Sequence, residues 1–136
     1  MATVCMIEYE DASEEVREVY DDLRVVRKTD FINNFWKALA NQPQTLKRIW
    51  NGIKEVFAEG EIDAVTKEMI YIAVSVANNC DYCIHSHTAN AFNKGMTDKQ
   101  YEELIALIGM AHQTNALATG MKVSVDDIYL IDTETT

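Results

Sequence analysis

Two cysteines three positions apart, Cys80 and Cys83, are the side chains of this sequence best suited to chemistry, and His87 follows the second by four residues. On a helix, one turn places the imidazole and the Cys83 thiol on the same face, within reach of each other. A helix N-terminus favours thiolate over thiol and a neighbouring imidazole can take the proton, so both are expected to lower a thiol pKa of about 8.5 toward neutrality. Asp81 opposes them with a negative charge in the same turn. The spacing also brings the sulfurs close enough to form a short-loop disulfide with little backbone movement, which a reversible two-electron cycle requires.

From the residues alone, three readings of this pair stay open: a redox-active dithiol, a zinc site using Cys80, Cys83 and a histidine, and a pair of inert core thiols. A closed zinc site needs four ligands, the sequence has no second C-x-x-C, and His85, His87 and His112 are the histidines that can complete the set. His85 falls well around the helix from Cys83 and reads as solvent-facing, while His112 reads as a packing residue. Cys5, near the N-terminus, reads as incidental. Glu68 also needs an explanation, because it sits just before the apolar run Met69 to Ala77 and shares a stripe with Ile72, Ser75 and Val76. A carboxylate there must find a partner or take up a proton. It is either a first-turn glutamate satisfied by the helix N-terminus or by Lys67, or a general base serving the thiols from the adjacent helix.

Positioning these groups falls to helices. With five Gly and one Pro in 136 residues, the sequence lacks the turn formers that the short strands of a sandwich or barrel need. Asp11 and Ser13 precede an amphipathic stripe of Val16, Val19, Tyr20, Leu23 and Val26. A short second helix carries Phe31, Ile32, Phe35, Trp36 and Leu39. Pro43 opens a third, with Leu46, Ile49, Trp50, Ile53, Val56 and Phe57 on its stripe and Gly60 as its stop. Asp63 is the expected N-cap of a fourth, AVTKEMIYIAVSVANN, whose partial alternation would also suit a strand; sixteen residues without Gly or Pro decide for a buried helix. The fifth starts near Cys80 and Asp81 and ends at Gly95. Thr97 and Gln100 then form a capping box, with Met96 and Tyr101 as a hydrophobic staple. Gly109 is expected to break the helix bearing Tyr101, Leu104, Ile105 and Ile108, leaving a last helix that carries His112 and closes at Gly120. The polar end of the tail from Lys122 to Thr136 is expected to fray.

The sum is an all-α chain of about six to seven helices, expected to form one domain over residues 1–136. Hydrophobic residues make up 48%, enough for a core without disulfide staples. The net charge of −10 repels phosphate backbones and anionic lipid, so nucleic acid is excluded as an expected partner. The longest apolar run is too short for a membrane span, and the N-terminal sequence lacks a basic and apolar leader, so no membrane partner and a cytoplasmic location are expected. Charge is unevenly spread: residues 24–54 hold seven Lys or Arg against Asp30, and the first 22 residues hold eight acids against Arg17. Solvated faces with electrostatic contacts between helices or subunits account for this better than an acidic ligand.

Glu68, Cys80, Cys83 and His87 stand as E-x11-C-x-x-C-x3-H within KEMIYIAVSVANNCDYCIHSHTANAFNKGMT. That pattern resembles the core motif of the AhpD-like alkylhydroperoxidase branch of the carboxymuconolactone decarboxylase family, over about residues 60 to 120. The resemblance implies an all-helical AhpD-like subunit that assembles into homo-trimers or hexamers. It implies reduction of organic hydroperoxides by a cysteine pair, with an external dithiol as reductant and no bound cofactor. Cys83 then matches the thiol that attacks peroxide, Cys80 the partner that closes the disulfide, and Glu68 with His87 the proton relay. The best-known members carry a His just before the second Cys, where this chain has Tyr82, which removes one relay group. A dithiol sensor, a zinc-stabilised helical adaptor and a lactone decarboxylase are the alternative functions; the last does not use the dithiol motif.

Overall fold

The computed structural model describes residues 1–130 and is helical throughout its regular structure: α1 (Glu14–Arg27), α2 (Asn34–Leu39), α3 (Pro43–Phe57), α4 (Ala64–Ala77), α5 (Asp81–Asn93), α6 (Asp98–Met121) and a 3-10 turn at Asp127–Tyr129. The fragment expected to fray at the polar end of the tail lies beyond the described residues. The chain divides into two compact units, one over Met1–Ala58 and one from Glu59 onward.

In the first unit, Ser13 caps α1 by accepting from the Val16 amide, and Pro43 occupies the first turn of α3. Val16, Val19, Tyr20 and Leu23 of α1 meet Trp36 of α2 and Leu46 and Trp50 of α3 in one apolar cluster. The Tyr20 hydroxyl donates to the Ile7 carbonyl at 2.8 Å, and the Asp22 carboxylate accepts from Trp50 Nε1 and Lys54 Nζ, both at 2.6 Å. The basic 24–54 segment is drawn to the acidic N-terminal one through Lys54–Asp22 and Lys37–Glu8, the latter at 2.7 Å. Four of the expected apolar residues lie outside the core: Val26, Phe31, Phe35 and Val56 are exposed. Helix α2 starts only at Asn34, so Phe31 and Ile32 belong to the preceding loop, and α3 ends at Phe57, before Gly60.

The second unit is built on α4. Asp63 caps it by accepting from the Thr66 amide at 2.9 Å. It ends two residues earlier than the sequence suggests, in a left-handed turn: Asn79 has φ 53°, its amide donates to Val76 O and that of Cys80 donates to Ser75 O. This is the Schellman arrangement with asparagine in the place usually taken by glycine. Helix α5 stops the same way, with Gly95 at φ 104° and the Met96 amide on Ala91 O. Here glycine meets a conformation that L-residues rarely adopt. Thr97 and Gln100 form the expected reciprocal capping box of α6. Ile72 and Ala91, fully buried, form the centre of the core with Met96 and Ile108, and Val65, Met69, Tyr101 and Leu104 pack around them.

One boundary differs plainly from expectation. Helix α6 runs unbroken for 24 residues through Gly109 and Gly120. An isolated glycine costs a helix about 1 kcal/mol relative to alanine, and the strong helix formers Ala106, Leu107, Met110 and Ala111 on either side outweigh it. His112 consequently lies on this continuous helix and is exposed rather than packed.

Candidate active site

Helix periodicity sets the two faces that meet. On α4, Glu68, Tyr71, Ile72 and Ser75 recur at three- and four-residue steps; on α5, Cys83, His87 and Ala91 recur at fours. The Schellman turn at Asn78 and Asn79 reverses the chain so that these faces pack, and it places Cys80 as the N-cap of α5 with Cys83 in its first turn. Both cysteines are half-buried and reduced, whereas the exposed Cys5 also carries a free thiol. His85 is exposed, as its helical position demands.

Glu68 is the most buried charged group of the unit, 1% exposed. Its carboxylate has two partners from α5: His87 Nδ1 at 2.6 Å from Oε2, and Lys94 Nζ at 2.5 Å from Oε1. Burial alone would raise its pKa, but the hydrogen bonds from His87 and Lys94 and the charge of the Lys94 ammonium outweigh that and hold it below the ordinary glutamate value. An ionised carboxylate only accepts, so Nδ1 of a neutral His87 carries the proton and Nε2 is left as the basic nitrogen. Tyr71 lies flat against the imidazole, ring centroids 4.1 Å apart and planes at 28°, which limits rotation of the ring.

The thiol departs from expectation. Cys83 is pushed up to about 11, first by burial and then by the hydrogen bond and charge of Cys80, with the Ser75 hydroxyl pulling the other way. The helix N-terminus does not prevail, because a half-buried thiolate loses hydration and faces a second sulfur one turn away. Ser75 is itself 5% exposed and donates to the Tyr71 carbonyl at 2.6 Å. The structure thus joins Glu68 to His87, and Cys83 to Cys80 and Ser75, on adjoining turns of the same α4–α5 pair. Among the described residues, no group of three or more His, Cys, Asp or Glu side chains is placed to hold a metal ion.

Lys94 and Tyr71 are the site residues that the sequence reading did not identify. Extending the Cys83, His87, Ala91 stripe by three residues reaches Lys94, and Tyr71 is three residues past Glu68 on the same face of α4. Lys67, offered by proximity as a partner for Glu68, gives way to Lys94, 26 residues distant in sequence.

This helical pair, with a C-x-x-C at a helix start facing a buried glutamate, belongs to a known class. The chain is a member of the carboxymuconolactone decarboxylase family, whose model matches residues 43–126. Within that family it is AhpD-like: it is 51% identical to the alkylhydroperoxidase AhpD core of Rhodospirillum rubrum ATCC 11170, with a TM-score of 0.93 over 97% of this chain and 99% of that one. It is also 38% identical over 72 residues to uncharacterized protein 4 in the cox locus of Paracoccus denitrificans, covering 48% of this chain and 65% of that protein. An uncharacterized protein of Cupriavidus necator is 31% identical over 77 residues, covering 56% of this chain and 68% of its own length. The chain therefore spans just under two thirds of the Paracoccus protein's length. No helix among the described residues is long and apolar enough to cross a membrane.

Proposed function

We propose that the protein is a thiol-dependent peroxidase that reduces organic hydroperoxides through a Cys80/Cys83 dithiol–disulfide cycle. The observation that carries this reading is the buried Glu68 carboxylate on His87 Nδ1, one helical turn from Cys83. A thiol held at about 11 has almost no thiolate at neutral pH, so a cycle that begins with thiolate attack needs a base at hand. His87 Nε2, oriented by Glu68 and by the Tyr71 ring, takes the Cys83 proton directly or through one water. The Cys83 thiolate attacks the distal peroxide oxygen, the O–O bond breaks, and the alkoxide leaves as alcohol after receiving that proton. Cys83 is now sulfenic acid. The Cys80 sulfur displaces water from it to form the disulfide, and an external dithiol supplies the two electrons that restore both thiols.

The likeness to the R. rubrum AhpD core, an alkylhydroperoxidase, supports the peroxidase reading. We also read the chain as a homo-oligomer acting in the cytoplasm. Much of α6 is left uncovered by the described residues: Leu107, Met110, Leu117 and Met121 are all more than half exposed, more apolar surface than one helix of a monomer ordinarily leaves to water. The deciding experiment for function measures consumption of an alkyl hydroperoxide with a dithiol reductant, with zinc content determined on the same sample. Turnover that Cys83→Ser abolishes supports the proposal; a protein that is inert to peroxide, or that carries stoichiometric zinc, refutes it.

A further inference from the structure

Lys94 lies outside the E-x11-C-x-x-C-x3-H pattern, yet it shares the Glu68 carboxylate with His87. Oε2 accepts from the imidazole at 2.6 Å and Oε1 from the Lys94 ammonium at 2.5 Å. The lysine is held there by its backbone. It is the C-cap of α5, and Gly95 with φ 104° and the Met96 amide on Ala91 O fix the chain immediately after it. The Met96 side chain, 4% exposed, anchors that turn in the core. The carbonyl end of a helix also favours a cation at this position.

The chemistry of the pair depends on this third member. A buried carboxylate facing only an imidazole has two ways to share a proton. In one, an anionic carboxylate accepts from Nδ1–H and Nε2 is basic. In the other, a neutral acid donates to Nδ1, so that the hydrogen sits on Nε2 and the ring offers the thiol a donor in place of a base. An ammonium on the second oxygen separates the two, because it only donates and is attracted to the anion alone. The titratable groups acting on Glu68 are His87 and Lys94 of α5. On its own helix, Tyr71 is near enough to feel its charge. Helix α6 presents Tyr101 to the same core, with its ring against Phe92.

We propose that Lys94 is a positioning residue of the proton relay: through Glu68 it fixes His87 in the tautomer whose Nε2 accepts the proton of Cys83. This rests on the reading of Glu68 and His87 as the relay. Lys94 touches neither substrate nor sulfur in this scheme and acts only through the carboxylate.

The test uses the full chain and the variants Lys94→Met, Lys94→Arg and His87→Gln. It follows hydroperoxide turnover and Cys83 alkylation by iodoacetamide against pH. Loss of the ammonium makes Glu68 easier to protonate, so in Lys94→Met the acid limb of both profiles is expected to move up by about one unit, a roughly tenfold loss at pH values below that limb with little change well above it. Lys94→Arg is expected to restore the limb. Nitrogen-15 spectra of the imidazole in the wild-type protein give a measurement that needs no variant to fold: the proton is expected on Nδ1. An unshifted acid limb in a folded Lys94→Met, or a wild-type His87 with its proton on Nε2, overturns the inference. If His87→Gln slows turnover in that same experiment, the relay stands without Lys94. If His87→Gln turns over like wild type, the relay reading fails and takes the inference with it.

Discussion

Replacing Glu68 by glutamine keeps the size of the side chain and removes its charge, in a position 1% exposed between two donors. The amide has a single acceptor oxygen. If it faces Lys94, the NH2 group faces His87, Nδ1 must accept, and the hydrogen moves to Nε2, where it blocks proton transfer from Cys83. If it faces His87, the ammonium loses its partner. At least one charge-assisted hydrogen bond is lost in either case, worth about 1.5 to 3 kcal/mol when both groups are buried. The Lys94 side chain is 37% exposed and can recover hydration, so a loss of about 1 to 2 kcal/mol is expected. For a chain of this length that is a fall in Tm of about 3 to 10 °C by calorimetry. Turnover at pH 7 should fall by about 10²- to 10⁴-fold, the usual worth of a general base, measured as kcat on an alkyl hydroperoxide with saturating dithiol. Raising the pH toward the Cys83 value of about 11 should recover part of it, because hydroxide then removes the thiol proton without the relay. The acid side has a definite sign. Since Glu68 is held below its ordinary value, its stabilisation is present above the unfolded carboxylate pKa and is lost as pH falls through the folded one. Glu68→Gln should therefore flatten the acid unfolding curve. A glutamine variant with wild-type kcat and an unchanged pH profile would refute the relay, leaving Glu68 as a structural ion pair.

The two sulfurs should separate in their variants: Cys83→Ser abolishes turnover, whereas Cys80→Ser still gives one round of sulfenic acid on Cys83, trapped with a dimedone-type probe and located by mass spectrometry. Sulfenate found on Cys80 instead would exchange the roles. Gly109→Ala should stabilise by about 0.5 to 1 kcal/mol in urea melts, since Gly109 sits inside a continuous helix with open space where a Cβ would stand; a destabilised variant would point to a close neighbour on that face. Light scattering at micromolar concentration should give a multiple of the chain mass, and a strict monomer would show that the apolar face of α6 needs no second copy.

Much of the site is written in local sequence. Cys80, Cys83 and His87 are related by helix geometry, and that segment is helical because Asn79 and Gly95 bound it with left-handed turns and Thr97 starts the next helix with its own capping box. Burial of Glu68 is also legible, since it lies on the apolar stripe of α4. Single-position signals were less dependable. Gly109 reads as a stop and is overridden by its neighbours, and Val26 and Val56 read as core and face water. Periodicity gives the direction of a side chain, while its cover depends on the length of the facing helix.

What the sequence by itself determined, then, is the set of helices and the functional groups each carries on one face, because caps, turns and i,i+4 spacing are properties of a few consecutive residues. What only the tertiary structure decided is which groups meet. The partner of Glu68 is Lys94, not the adjacent Lys67, because α4 and α5 pack antiparallel through the Asn78–Asn79 turn and bring the end of one helix to the start of the other. The direction of the Cys83 shift was decided there too. A helix N-terminus is a local feature that lowers a thiol pKa, but removal of water by the packed face of α4 and the second sulfur beside it outweighs that, and desolvation exists only once the helices have come together.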